Sequence, residues 1–177
     1  IVIHKPGSFD QLKIEEHPDL TPAADEIKVA IHAIGINYAD VIIRWGLYDS
    51  AKKFVGWPIT PGFEFSGTVA EVGKDAVGFE VGQKVFGLSL FNGYATEICV
   101  KPDTLYPLYQ TMTLEEAAGF PAVYMTAYHA LLQLVIIRPT DRVIVHSAAG
   151  GVGSALLQLC RIKGIETIGV VGSNHKI

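Results

Sequence analysis

The residues with the clearest chemical potential lie in Val145–Gly164, "VHSAAGGVGSALLQLCRIKG". Aligned to G-x-G-x-x-G, Ala148 takes the first position, Gly150 the second and Gly153 the third. Each position has its own mechanical task. The first makes a tight turn, which alanine also permits. A residue without Cβ at 150 lets a diphosphate approach the backbone. A residue without Cβ at 153 lets the following helix pack closely on the preceding strand. The first turn of that helix offers free N–H groups and a partial positive charge, both suited to an anion. The backbone of Ala149, Gly150, Gly151, Val152 and Gly153 is therefore the expected phosphate cradle. The strand before it and the amphipathic helix after it are the context such a fingerprint requires. The alternative is a tight strand-to-helix turn that binds nothing.

About 20 residues beyond the glycines of a dinucleotide fold, an acidic residue would select the ribose 2′-hydroxyl of NAD. Here the chain reads "GSNHKI", with no carboxylate. The hydroxyl of Ser173 and the ammonium of Lys176 suit a 2′-phosphate, so NADPH is the expected cofactor. A solvated loop is the alternative.

These residues need particular elements to hold them. "DRVIVHS" reads as a strand apolar enough to be buried on both faces. Val152, Leu156, Leu159 and Cys160 recur at i, i+4, i+7 and i+8, one face of a helix. "ETIGVVG" is a second buried strand, and the right-handed crossover makes the two strands parallel neighbours. Upstream, Thr113 and Glu116 have capping-box spacing. A helix is expected over about Val123–Leu134, with Pro139 stopping it. Residues 1 to about 110 read differently. "EIKVAIHAIGI", "GTVAEVG", "QKVFGL" and "YATEICV" are short strands punctuated by Gly, Pro and Asp, the pattern of a small barrel or sandwich. "NYADVIIRWGLY" is a short helix among them, with Gly46 near its end. The expected organisation is a β domain over 1–112, followed over 113–177 by the first part of a doubly wound α/β domain.

Composition narrows the function. The 177 residues are 49% hydrophobic and 18% charged, with a net charge of −4. No basic face is available to neutralise phosphates of nucleic acid. The longest nearly apolar stretch, residues 122–137, falls short of a bilayer span. Cys99 and Cys160 match no disulfide or zinc spacing, and no leader-like start is present, so a reduced, cytoplasmic setting is expected.

Taken together, "GINYADVIIRWGLY", "PITPGFEFSGTVAEVG", "GYATEICV", "EEAAGFPAVYMTAYHAL" and "VHSAAGGVGSALLQLC" resemble the medium-chain dehydrogenases/reductases. The resemblance is nearest to the zinc-free quinone oxidoreductase branch, including proteins similar to the vesicle amine transport protein. It implies an N-terminal GroES-like β-barrel and a Rossmann domain. Zinc-using members carry a cysteine ligand in the segment that here reads "AIGINYAD", where Asn37 stands in its place. They carry Gly-His-Glu where this chain has Gly62-Phe63-Glu64. Neither Asn nor Phe replaces a thiolate or an imidazole, and no four-cysteine lobe is present, so a zinc mechanism is excluded on the sequence.

Without a metal, the oxygen of a quinone or enone still becomes negative as hydride arrives, and it needs a donor or a proton. The resemblance implies that Tyr48 and Asn37 face the nicotinamide end of the cleft. Tyr48 either donates its phenol proton or holds the substrate; alternatively it is a turn tyrosine covering the surface. Asn37 contacts the nicotinamide ribose or the substrate oxygen, or it is a loop amide satisfying local backbone. Thr126 resembles the nicotinamide-contacting threonine of the family, but it can also bond its own helix. Asp40 is read as ordering the short helix. Glu64, flanked by apolar residues, needs a partner if buried. His146 is read as packed or capped, and Tyr124 and Tyr128 as core or interface aromatics.

Two strands are few for a doubly wound sheet, which usually has about six, and the first residue is Ile1. Such a sheet would expose an apolar edge and helix-facing surfaces; a fragment is therefore expected, one that binds NADPH poorly and turns nothing over by itself. A homodimer of the longer protein is implied by the family alone. Two readings stay open: an NADPH-dependent reductase of small-molecule quinones or α,β-unsaturated carbonyls, and a non-catalytic NADPH-binding protein with a structural or vesicle-associated role.

Overall fold

The computed structural model describes residues 1–138 and 140–176. They form two compact units, residues 1–120 and 121–177, each described by itself here.

The first unit is built on a five-stranded antiparallel sheet. After the short pair β1 (Val2–Ile3) and β2 (Leu12–Lys13) come β3 (Ile27–Ile34), β4 (Glu64–Val72), β5 (Lys84–Leu88), β6 (Glu97–Val100) and β7 (Leu105–Pro107). The spatial order is β6-β3-β4-β5-β7. Ile98 and Val100 from one edge strand and Leu105 from the other join Ile27, Val29, Phe65, Val69 and Val85 in a single buried cluster. The sheet therefore curls around its own side chains, as in a small barrel. Two register shifts along β3, at Lys28/Val29 and Ile31/Ala33, supply the bend. Between β3 and β4 the chain forms α1 (Tyr38–Arg44) and α2 (Asp49–Phe54). Gly46 follows α1 at φ +71°, a left-handed position that glycine takes without strain. Ile3, Ile43, Ala51, Ile59 and Phe91 form a second buried cluster beneath these helices, with Tyr48 and Phe63 packed against it.

The change of pattern at Thr113 marks a helix but not the end of the unit. In α3 (Leu114–Ala118), Thr113 Oγ1 accepts from the Glu116 N–H at 3.1 Å, and Glu116 Oε2 accepts from the Thr113 N–H at 2.9 Å. This helix packs on β3, β4 and β5, and Ser66 Oγ donates to Leu114 O at 2.5 Å. The units therefore part at Phe120/Pro121, eight residues beyond the 112/113 boundary read from the sequence.

In the second unit, α4 (Pro121–Tyr128) continues into a π-helical turn, His129–Gln133, closed by the Leu134 N–H bonding His129 O at 3.1 Å. The expected stop at Pro139 lies outside the described residues. β8 (Arg142–His146) and β9 (Glu166–Val170) pair in parallel, joined through α5 (Gly151–Ile162). The β-α-β unit is as expected, and its strands leave apolar side chains open, as expected of so short a sheet. Val145 is buried, whereas Ile144 is 59% and Ile168 48% exposed. The apolar composition suits two covered faces; within this unit α5 packs on the pair and these side chains stay open. His146 and Tyr128 are exposed within this unit, so neither is a core residue of it. Among the described residues no helix is long and apolar enough to cross a membrane.

Thr113→Ala removes a capping-box acceptor and is expected to lower stability by about 1 kcal/mol, measurable by urea denaturation at unchanged m-value.

Candidate functional site

The site residues of the first unit lie on three loops drawn together by one carboxylate. Asp40, 6% exposed, sits in the first turn of α1. Its Oδ2 accepts from the Asn37 N–H at 2.8 Å and from the Tyr94 hydroxyl at 2.9 Å. Its Oδ1 accepts from the Gly62 N–H at 3.2 Å. Asp40 thus orders its helix, as expected, and also ties it to the turn before β4 and the loop before β6. Tyr94 was not singled out in the sequence, since nothing in the spacing of "FNGYATE" marks its contact with a residue 54 positions away. Burial, then the neighbouring Asp40 charge, pushes its phenol well above the usual tyrosine range, so it remains a donor through neutral and mildly alkaline pH.

Asn37 stands immediately before α1 and is half-buried. Its Nδ2 donates to Glu64 Oε1 at 2.8 Å, which supplies the partner that a 2% exposed carboxylate needs. Room for this pair comes from Gly35. A Cβ there would lie 2.3 Å from Glu64 Oε1 and 2.5 Å from Ala118 O. Gly62, at φ +102°, is bare for a similar reason: a Cβ would meet Tyr94 Cδ1 at 2.5 Å.

Tyr48 precedes α2 and is half-buried. Its ring packs on Phe63 at 5.7 Å between centroids, and Phe63 on Phe91 at 5.6 Å. The Tyr48 hydroxyl makes no hydrogen bond among the described residues, which leaves it available. Arg44 is engaged: it donates to Gly7 O at 2.7 Å and lies 5.8 Å from the Trp45 ring centroid.

The glycine loop of the second unit leaves the C-terminal end of β8. Ser147 adopts φ +53°, uncommon for serine, and starts the turn. Ala148 is buried, and its N–H bonds Val170 O at 3.0 Å, fastening the loop to β9. Ala149 and Gly150 are exposed. The Gly150 N–H bonds Ser147 O at 2.8 Å. Gly151, Val152 and Gly153 form the first turn of α5, so their N–H groups have no intrahelical acceptor. The two glycines differ in their surroundings. A Cβ on Gly153 would meet Ser147 O at 2.3 Å and Ala148 Cα at 2.8 Å, whereas one on Gly150 meets only Ser147 O, at 3.2 Å. Close helix–strand packing explains Gly153. The chain's own packing explains Gly150 far less.

Ser173 and Lys176 follow β9 at the same end of the strand pair, in a turn closed by the Lys176 N–H bonding Ser173 O at 3.1 Å; Lys176 is exposed. Thr126 lies on α4. It is exposed, and its Oγ1 donates to Ala122 O at 2.7 Å, the local bond weighed as its alternative. Tyr124 is half-buried and its hydroxyl donates to Gln158 Oε1 at 2.8 Å, joining α4 to α5. A cavity of about 430 Å³ opens at the other end of the strands, lined by Leu131, Val135, Lys163 and Ile165 among others, and includes none of the expected site residues.

The family model of the alcohol dehydrogenase GroES-like domain matches residues 23–134. The chain belongs to the medium-chain dehydrogenase/reductase family, in its quinone oxidoreductase-like branch. Its first unit is GroES-like and its second is part of a Rossmann-like α/β fold. It is 36% identical to the rat synaptic vesicle membrane protein VAT-1 homolog, over 97% of this chain and 43% of that protein. It is 32% identical to Escherichia coli quinone oxidoreductase, solved as a complex with NADPH, with a TM-score of 0.90 over 99% of this chain and 53% of the other. The CurK enoyl reductase is 31% identical, with a TM-score of 0.91 over 98% of this chain and 54% of its own. The chain thus spans less than half the length of the curated relatives it matches and about half that of these solved structures.

Gly153→Ala is expected to destabilise the second unit by about 1–3 kcal/mol through overpacking. Gly150→Ala is expected to cost under about 1 kcal/mol. Chemical denaturation of the two variants side by side checks the division.

Proposed function

We propose that the chain carries the diphosphate cradle and the oxygen-binding residues of an NADPH-dependent, zinc-independent reductase of quinones or α,β-unsaturated carbonyls. The observation that carries the reading is Gly150: a bare, exposed backbone whose missing Cβ the chain's own packing hardly demands, placed before three helix N–H groups without intrahelical acceptors. These groups fit a diphosphate. Ser173 and Lys176 fit a 2′-phosphate, and the absence of a carboxylate in "GSNHKI" favours NADPH over NADH. The NADPH complex of the E. coli relative supports the same cofactor.

The donor chemistry supports a zinc-free reading. The Asn37 amide donates to Glu64, and Phe63 is a packed ring; neither is a zinc ligand. When bound, NADPH supplies the hydride. The residues of this chain act on the acceptor's oxygen and proton. Asn37 donates to the oxygen that becomes negative, or to the nicotinamide ribose. The Tyr48 phenol, free of hydrogen bonds among the described residues, holds the substrate or hands its proton to the reduced product. The Phe63 and Phe91 rings fix the Tyr48 ring. In this reading residues 1–112 carry the catalytic and substrate residues, and residues 113–177 begin the dinucleotide-binding part. Thr126 contacts the nicotinamide only through the lone pairs its helix bond leaves free. The name of the VAT-1 relatives keeps a second reading open, a vesicle-associated NADPH-binding protein without turnover.

In the protein that carries this chain, NADPH oxidation with a panel of quinones and enones is expected, and Tyr48→Phe is expected to lower kcat by at least roughly tenfold if the phenol is the proton donor. Tight NADPH binding with no acceptor reduced, and no effect of Tyr48→Phe, selects the second reading. Lys176→Ala is expected to weaken NADPH binding by roughly tenfold, as loss of a charge-assisted bond does, with NADH unaffected; equal loss for both nucleotides removes Lys176 from the 2′-phosphate site.

A further inference from the structure

We propose that Glu64 is a positioning residue that sets the polarity of Asn37: it locks the amide so that the site meets an incoming ligand oxygen with an N–H donor and not with a carbonyl. The inference rests on the reading of Asn37 as an oxygen-binding residue, and it names what makes it one.

An asparagine side chain has two faces of opposite character, two N–H donors on nitrogen and an acceptor oxygen. A half-turn about its last bond exchanges them at almost no steric cost, so a lone amide at a site selects neither donor nor acceptor. Here the choice is made from behind. Asn37 Nδ2 lies 2.8 Å from Glu64 Oε1. An ionised carboxylate accepts and cannot donate. The flipped amide would set Oδ1 against Oε1, two acceptors facing each other next to a carboxylate that is 2% exposed, where an unmatched pair is costly. The carboxylate lies against the bare Cα of Gly35, where a Cβ would displace it. The backbone of Asn37 is confined, since its N–H is held by Asp40 Oδ2 at 2.8 Å. One Nδ2–H is therefore taken by Glu64. The other makes no hydrogen bond among the described residues, and Asn37 is half-buried, not enclosed.

The consequence is selection by ligand class. A carbonyl oxygen, an oxygen that gains charge during reduction, or a hydroxyl oxygen turned to accept is matched; an amide N–H is not, because a donor would face a donor. A protonated Glu64 could donate as well as accept and would no longer fix the amide, so the selection depends on the carboxylate charge. Gly62-Phe63-Glu64 thus retains a use for its acid at a place where Phe63 offers no metal ligand.

The test is side-chain amide NMR on the full chain labelled with ¹⁵N-asparagine. In the wild type, the two Nδ2 protons of Asn37 are expected to exchange with water at rates differing by at least about tenfold, the one facing Glu64 being slower. In Glu64→Gln, an isostere that can donate or accept, that difference is expected to collapse while the Asn37 backbone N–H keeps its protection from Asp40. Equal exchange of the two protons in the wild type overturns the proposal without any variant. An unchanged difference in a folded Glu64→Gln overturns it as well. The result is independent of turnover: a locked amide in a protein that binds no nicotinamide nucleotide would sink the proposed function and leave the polarity of Asn37 standing.

Discussion

One buried carboxylate holds the candidate site of the first unit in shape. Asp40 receives three donors from three places in the chain: the Asn37 N–H, the Gly62 N–H and the Tyr94 hydroxyl. Hydrogen bonds to an ionised acceptor are among the stronger ones in proteins, and a carboxylate removed from water is tolerable only when it gains such partners. The same bonds therefore satisfy the charge and fix the loops. Asn37 and Gly62 are brought into register through this one side chain, and Glu64, two residues after Gly62, then meets the Asn37 amide. The raised Tyr94 phenol is the other side of the bargain, since a proton retained on the phenol keeps the donor in place.

Around this centre the site is shaped as much by absent side chains as by present ones. Gly35 gives Glu64 its space, Gly62 admits the Tyr94 ring, and Gly153 lets α5 approach the end of β8. At these three positions a Cβ would fall closer to its neighbours than atoms pack. Gly150 is the contrast, because its surroundings leave a methyl nearly enough room. Packing therefore accounts for Gly153 and leaves Gly150 largely unexplained.

The glycine loop, the parallel strand pair, the capping box at Thr113 and the short helix at Tyr38 were legible because each has a local grammar: spacing, periodicity or a cap within a few residues. Asn37 and Glu64 were legible only as candidates, since their pairing spans 27 positions. Tyr94 was illegible for the same reason, with its meaning carried by a contact 54 positions away. Burial in the second unit is legible only as a need for cover. Apolar strands such as "DRVIVHS" are written for cover on both faces, but composition does not say which segment provides it, and here Ile144 and Ile168 stay exposed. Thr126 shows a similar limit: its hydroxyl satisfied itself on Ala122 O, an outcome that local sequence permits but does not require.

The measurement that most directly tests the role of Asp40 is backbone amide hydrogen exchange in Asp40→Asn. The substituted amide keeps one acceptor oxygen in place of two and loses the charge, so it cannot serve all three donors. The Asn37 and Gly62 N–H groups are expected to lose protection by at least about tenfold relative to the wild type, while amides of the β3–β4 ladder such as Val69 keep theirs. If both loop amides retain wild-type protection in the folded variant, the carboxylate is not what holds the site together.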